Sequence, residues 1–592
     1  MTETPEQTIT KVNRQQRRWT ILVIVLVSLL FRGIYFLQLS DSQALLYMHK
    51  WEQSDMHYYY EWAENIEAGD ILTNRPFYPY NFWQQQLANY AFNHYPKEAR
   101  KLIGKVPVKL DEEARNRLLW EKWVGGKVFY ADPFYPYWLA FNFKVFGSDV
   151  RWIFVWQLLL GVCCNVLIYF IAARYFVERV GIVAAAMAIL CGPLMYNDMI
   201  LIRASWMTFT GLLLVYLLDK LLLQKKWKWW LLYGVLIGVC MLLKSVYSLW
   251  LLYVLALVVL TYWRTPKEVV KLGLLLIMGM YIGRAPLIAR NLAVGLPASA
   301  SSGYGAINFI ITNHEGYKAK TNGVNIDKSV GLMMESKLNM TAAIVKTLQT
   351  YDSPLGYFSM LWQKFGTVWN GYEAADNANF YYYRLHAPIL KYLFFSFYWI
   401  APLGIVGFFL ALFDYKQFWR PIYAFVVMQV ALLTVFFVLS RLRIPLLAMM
   451  VPFAAYAVVS IFENRNWRSV AAVFSILVLA YWVHLPMTSS KIRHADYVAP
   501  YQVYYQPLIQ KAVNSKKWNE AIAVMEDFLQ YEPSNIAALQ VQDGASKPKI
   551  NQQDADFYGN VYTQYADFYR EIEDFVTAET LNAKAELLKS KK

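Results

Sequence analysis

Residues 19–39 read Trp19-Thr-Ile-Leu-Val-Ile-Val-Leu-Val-Ser-Leu-Leu-Phe-Arg32-Gly-Ile-Tyr-Phe-Leu-Gln-Leu39. A helix needs about 20 predominantly apolar residues to cross a bilayer core, and this run supplies them. Lys11, Arg14, Arg17 and Arg18 stand before it. Basic residues collect on the cytoplasmic side of short loops, so the chain is expected to start in the cytoplasm. No small-residue cleavage site follows Phe36-Leu37-Gln38-Leu39. The run is therefore expected to remain as a span and not to be removed as a signal peptide. One charge, Arg32, interrupts it, and an intramembrane arginine calls for a partner on a neighbouring helix.

Working outward, comparable runs recur at about 152–173, 180–197, 204–223, 229–243, 246–263, 270–289, 387–413, 421–440, 444–462 and 469–486. The expected fold is an all-α polytopic membrane protein with about eleven transmembrane helices. The whole chain agrees. Of 592 residues, 57% are hydrophobic and only 17% charged, which excludes disorder and a disulfide-stapled secreted domain. Cys163, Cys164, Cys191 and Cys240 all fall inside predicted spans, where they act as small apolar residues. The net charge of +15 lies largely in alternate short loops: Arg174 and Arg179; Lys225, Lys226 and Lys228; Arg264, Lys267 and Lys271; Lys416 and Arg420; Arg465 and Arg468. It is a topology signal and not a nucleic-acid footprint. The chain then divides into a cytoplasmic N-terminus (1–18), a membrane domain (19–486) with large outer loops at 40–151 and 290–386, and an outer tail (487–592).

Other basic residues fall at predicted outer span ends, where the topology rule disfavours them. They are Arg203, Lys244, Arg284, Arg290, Arg441 and Arg443. Each alone could snorkel to headgroups or pair with a carboxylate. As a set they suggest an anion site, and a lipid phosphate or diphosphate suits the planar fork of arginine. Arg203, Lys244, Arg290, Arg441 and Arg443 are the expected phosphate-binding residues.

The first outer loop holds the carboxylates. In Asp55-Met56-His57-Tyr58-Tyr59-Tyr60-Glu61-Trp62, apolar and aromatic residues recur at helical spacing, and Gly69 ends the pattern. Asp55 stands at the expected N-cap. Capping alone would explain it, but it faces the end where the basic residues collect. There a carboxylate stays ionised and could accept a proton from an attacking hydroxyl or amine. Asp132 lies in the rigid, aromatic stretch Val128-Phe129-Tyr130-Ala131-Asp132-Pro133-Phe134-Tyr135-Pro136-Tyr137-Trp138, where an Asp-Pro turn is the plain alternative.

The pattern Asp55-x-x-Tyr58-Tyr59-x-Glu61-Trp62-Ala63-x-x-Ile66-x-Ala68-Gly69-Asp70, followed by Val128-Phe129-Tyr130-x-Asp132-Pro133-x-Tyr135-Pro136-Tyr137, resembles bacterial GT-C membrane glycosyltransferases. These are the relatives of protein O-mannosyltransferases and lipid A aminoarabinose transferases. Gln157-Leu-Leu-Leu-Gly161, Ala289-Arg290-Asn291 with Ser301-Ser302-Gly303, and Arg441-Leu442-Arg443-Ile444-Pro445 with Phe453-Ala454-Ala455-Tyr456 extend the likeness. In the tail, Lys517-Trp518-Asn519-Glu520-Ala521-Ile522 through Ala538 resembles a tetratricopeptide repeat, so the likeness is to the members with such tails. Two repeats cannot bury a solenoid core alone, and the tail is expected to pack on the outer face or bind a protein partner there.

The resemblance implies a GT-C type helical bundle and transfer of a sugar from a polyprenyl-phosphate donor, with inversion, on the outer face of the cytoplasmic membrane. It implies Asp55 as base on the acceptor and places Asp132 near a second acidic position of several relatives. Glu52, His57, Tyr58, Tyr59, Tyr135 and Trp138 are expected to position sugar and acceptor. A glycan, lipid or protein acceptor of the cell envelope is expected. Two departures stand out. Residues 71–125 look like an insertion, and Met56 follows Asp55 where protein mannosyltransferases carry an Asp-Glu pair. No resident metal is assigned. A divalent cation (Mg or Mn) shared by acidic residues and lipid phosphate is the one cofactor the pattern admits. His49, His57, His94, His314, His386, His484 and His494 show no ligand spacing, and Asp554-Ala-Asp556 reads as a solvated helix start. The rival readings are a transporter or flippase of lipid-linked sugars and a non-catalytic scaffold acting through its tail. A transporter predicts mid-membrane charges and repeated spans; Arg32 apart, the charges lie mainly at interface level, and no repeat is evident.

Overall fold

Backbone amides and carbonyls in hydrocarbon must be paired within their own segment, which leaves the helix as the local solution. The chain is helical accordingly, and among the described residues there is no strand, only a parallel bridge between Cys191 and Phe395. The computed structural model describes residues 14–590 apart from 75–77, 80–81, 105–109, 125, 223–225, 303, 320–323, 416–418, 486–499, 538 and 540–549. Lys11, Lys225, Lys416, Gly303, His494 and Ala538 lie outside the described residues.

Among the described residues, six helices are long and apolar enough to cross a membrane: Arg14–Leu39, Val150–Tyr175, Pro266–Ala293, Phe397–Tyr415, Ser440–Asn464 and Trp467–His484. Three shorter apolar helices, Trp227–Leu243, Tyr247–Tyr262 and Pro421–Val435, accompany them. The stretch 180–197, expected as one span, is broken into Glu178–Ile189 and Gly192–Asn197. The break has a partner for its backbone. Gly192 donates to the Phe395 carbonyl at 3.0 Å, and Phe395 donates to that of Leu190 at 3.2 Å.

Small residues set how closely the helices approach. Gly234 and Gly238 of Trp227–Leu243 face Gly279 and Gly283 of Pro266–Ala293. A Cβ on Gly238 would sit 2.3 Å from the Met280 carbonyl oxygen, and one on Gly283 would sit 2.3 Å from that of Val235. Two small-xxx-small faces therefore meet backbone to backbone, where dispersion replaces the missing hydrophobic drive between membrane helices.

Arg32 finds its partner across the bundle. Its guanidinium meets Asp198 at 3.0 Å, both groups buried. Gly161 makes the room, because a Cβ there would lie 2.1 Å from the Asp198 carboxylate and 2.5 Å from Arg32 Nε. Gln157, one helical turn earlier, donates to the carbonyls of Asp198 and Ile200 and accepts from Tyr135 Oη. Ser205 Oγ donates to Asp198 at 3.0 Å. The Gln157–Gly161 motif thus clamps the turn at 196–203, which delivers Arg203 as N-cap of helix Ala204–Leu221.

The two ends of the bundle are unlike. Arg174, Arg420 and Asp219 meet at one end, in short connections predicted to share a side. At the other end the two long loop regions and the tail share one hydrophobic core, from Tyr35 and Trp62 through Tyr383 to Tyr504 and Leu588. The tail itself forms helical hairpins, Gln506–Asn514 with Trp518–Leu529 and Gln552–Glu571 with Phe575–Lys589. Its Tyr505 accepts from Tyr382 Oη at 2.9 Å, and Tyr383 Oη donates to the Ala44 carbonyl.

Candidate active site

Helix Asp55–Glu67 opens the loop region, and its cap differs from expectation. Ser54, not Asp55, is the N-cap: its backbone is extended and its Oγ accepts from the His57 amide at 3.0 Å. Asp55 is the first helical residue. Its carboxylate is spared the capping duty and gains from the positive end of the helix dipole. Gly69, at a φ of +112°, turns the chain out of the helix where an L side chain would be strained.

Asp55 is half-exposed, and Arg441 meets its carboxylate at 2.6 Å. The same guanidinium reaches Asp376 at 2.5 Å, and Asn377 Oδ1 accepts from the Asp55 amide at 3.4 Å. Burial works to raise the Asp55 pKa. Arg441, the field of Arg203 and the Asn377 side chain outweigh it and hold the carboxyl below its ordinary value. Asp376 goes the other way: burial and the neighbouring Asp55 charge raise its pKa despite Arg441.

A second pair stands beside the first. Asp132, buried in the loop before helix Phe134–Phe146, meets Arg203 at 3.3 Å and accepts from Ser302 Oγ at 3.3 Å. Arg203 also donates to the Leu243 carbonyl and lies 6.0 Å over the Tyr59 ring. Next to that carbonyl, Lys244 sits in the field of Arg203, Asp132, Arg441 and Asp55. Burial pushes its pKa down to about 7, and the two arginines push the same way. A cavity of about 210 Å³ adjoins the pairs, lined by Asp132, Ser245, Ser248, Arg284, Asn291 and Ser299 through Ser302. Arg284 Nε is buried there with no partner in the protein. Hydroxyl donors and an unspent guanidinium around a cavity suit an oxyanion.

Residues 131–283 match the family described as Dolichyl-phosphate-mannose-protein mannosyltransferase. The match covers well under half of the chain and is a likeness to that family over this stretch. The matched stretch holds Asp132, Arg203 and Lys244, and it begins beyond Asp55 and Met56. Two solved structures of the Archaeoglobus fulgidus oligosaccharyltransferase are also similar. One is the apo form, at 12% identity and a TM-score of 0.39. The other is tethered through a disulfide to an acceptor peptide containing the NVT sequon, at 13% identity and 0.38. Each covers 90% of this chain, which spans 61% and 60% of their lengths, about three-fifths. No curated protein matches in sequence.

Of the expected site residues, Asp55, Asp132, Arg203, Lys244, Arg441 and Tyr59 come together, and the others do not. Arg443 is buried and bonded to the carbonyls of Val368, Asn370 and Tyr372 and to Glu373, with Phe397 under its guanidinium at 3.9 Å. Arg290 is buried on the carbonyls of Leu72 and Thr73, 3.9 Å over Phe129. Both arginines spend their donors on loop backbone and hold the loops in place. His57 turns to the His49 carbonyl and Glu61, and Glu52 is exposed. Tyr58 and Tyr135 pack in the loop core, with Trp138 against Tyr135.

Sequence reasoning missed Asp376, Asn377 and the serines around Arg284. Their signal was weak: Glu373-Ala-Ala-Asp376-Asn377-Ala-Asn379 is a polar stretch shortly before a span, and nothing in its spacing points to Asp55. Among the described residues no three His, Cys, Asp or Glu side chains are grouped to hold a metal ion. Asp55 and Asp376 instead converge on Arg441, so the side chains do not fit the Mg or Mn that the sequence admits.

Proposed function

We propose that the loop end is the outer face of the cytoplasmic membrane and that the chain there moves a sugar from a polyprenyl-phosphate donor to an envelope acceptor. One observation carries the reading: a half-exposed carboxylate, Asp55, shares a site with Arg441, Arg203 and Lys244. The donor phosphate enters beside them, where Arg203, Lys244, Arg441 and the unpartnered Arg284 supply charge.

The acceptor oxygen attacks the anomeric carbon from the face opposite the phosphate. Its proton passes to Asp55, and the carbon–oxygen bond to the phosphate breaks with the electron pair. The lipid phosphate leaves carrying that charge, and the basic residues stabilise it as it develops. Asp55 held by Arg441 is a weak base. A phosphate that draws the guanidinium away returns the carboxylate toward its ordinary basicity, so donor binding itself readies the base. The inverted configuration follows from one displacement.

The test is turnover by the purified protein in lipid nanodiscs with extracted polyprenyl-phosphate sugars and envelope acceptors. Asp55→Asn is expected to lose about 10²–10⁴-fold in transfer rate while still binding the donor. Full activity in that variant would contradict the assignment of the base.

A further inference from the structure

The helical tail meets the segment leading into span Phe397–Tyr415 across a cleft of about 600 Å³. That is within the range of roughly 300–1,000 Å³ usual for small-ligand sites. We propose that this cleft is a saccharide subsite, holding two or three neutral sugar units of the acceptor. The inference rests on the transferase reading above, since the sugars it binds would be those of the molecule being extended.

The walls are built for sugar rings. Tyr372 and Tyr381 stack at 5.0 Å on the loop side, and Tyr531 comes from the tail, 4.4 Å from the His386 ring. Flat rings with hydroxyl edges offer an apolar face to a sugar's C–H side and polar rims to its hydroxyls. Asn379 supplies the fixed polar group. It is only 2% exposed, and its Oδ1 caps helix Phe380–His386 by accepting from the Tyr382 amide. The residue lines the cleft, and its Nδ2 is buried with no partner in the protein. A buried donor left unpaired is costly, and a ligand hydroxyl would satisfy it. Glu532 lines the tail side, its carboxylate held by Tyr562 Oη at 2.7 Å and by Lys584 at 3.5 Å.

Charge narrows the ligand class. Among the described lining residues there is no Lys or Arg, which speaks against a phosphate or an acidic glycan. His386 is held neutral at physiological pH, because burial pushes its pKa down to about 4. The unpaired Asn379 amide and the Glu532 carboxylate speak against a lipid tail. Position links the cleft to the chemistry. Tyr372 and Asn379 bracket Asp376, so one short segment lines the cleft and reaches Arg441. Arg443 grips that segment at the Tyr372 carbonyl and Glu373, fixing cleft and reacting site relative to each other.

The experiment uses the full-length protein in nanodiscs. The probes are neutral di-, tri- and tetrasaccharides of glucose, galactose, mannose and N-acetylglucosamine, read by saturation-transfer NMR and titration calorimetry. At least one is expected to bind wild type and Asp55→Asn alike. Leu385→Trp, which fills the cleft from a partly exposed wall position, and Tyr531→Ala are expected to bind it about tenfold more weakly or worse, with unchanged melting. The proposal is overturned if no probe binds the wild-type protein, or if both variants bind as wild type does. Should Asp55→Asn keep full transfer activity while the cleft variants lose binding, the base assignment falls and the subsite stands.

Discussion

Arg441 carries two carboxylates on one guanidinium, at 2.6 Å to Asp55 and 2.5 Å to Asp376. With Asp376→Asn, the guanidinium has only Asp55 as an anionic partner, and the base is held more tightly. Transfer is expected to slow by roughly tenfold, mainly in kcat, a smaller loss than removal of the base itself. Lys244 makes the site pH-sensitive. Its pKa near 7 means that the ammonium is present below that pH and lost above it. KM for the lipid donor is therefore expected to rise from pH 6 to pH 8, and Lys244→Arg to flatten that rise, because guanidinium stays charged. Stability runs in the opposite sense. The unfolded lysine keeps its proton to about pH 10.4, so between the two values the unfolded chain binds more protons. This group's contribution to stability therefore improves as pH rises through that window. A flat KM profile in wild-type protein would contradict the role of Lys244.

At the scale of elements, two close approaches invite tests. Gly283→Leu drives a side chain into the Val235 carbonyl and should lower stability by about 1–3 kcal/mol, read as earlier thermal unfolding with donor contacts intact. Gly161→Ala strikes the Arg32–Asp198 pair and, through that pair, the turn that carries Arg203. Both melting temperature and transfer should fall. A variant that melts earlier yet transfers normally would mean the turn does not position the site. Most helix positions were legible because hydropathy and loop charge act locally. The break at 190–191 was not, since it depends on a backbone bridge to Phe395 far along the chain. Asp55 was legible as an acid near the basic span ends, but its cap was misplaced by one residue: Ser54 and Asp55 are both good caps, and sequence does not choose between them. Arg290 and Arg443 looked like Arg203 and Arg441 in sequence. What separates the two pairs is which carbonyls the folded loops bring to them.

Across the whole molecule, tail and loops share one core, with Tyr382, Tyr383, Tyr504 and Tyr505 at their junction. Truncation after His484 would bare that aromatic face. The shortened protein is expected to melt earlier and aggregate. Equal melting with and without the tail would contradict this shared core. The central claim, that Asp55 serves sugar transfer from a lipid phosphate, is tested most directly in cells. Lipid-linked sugars and envelope glycans would be profiled by mass spectrometry with wild-type protein or with Asp55→Asn at the same level in the membrane. The account predicts that one polyprenyl-phosphate sugar accumulates in the variant and that one glycan modification disappears. A profile identical to wild type would contradict it.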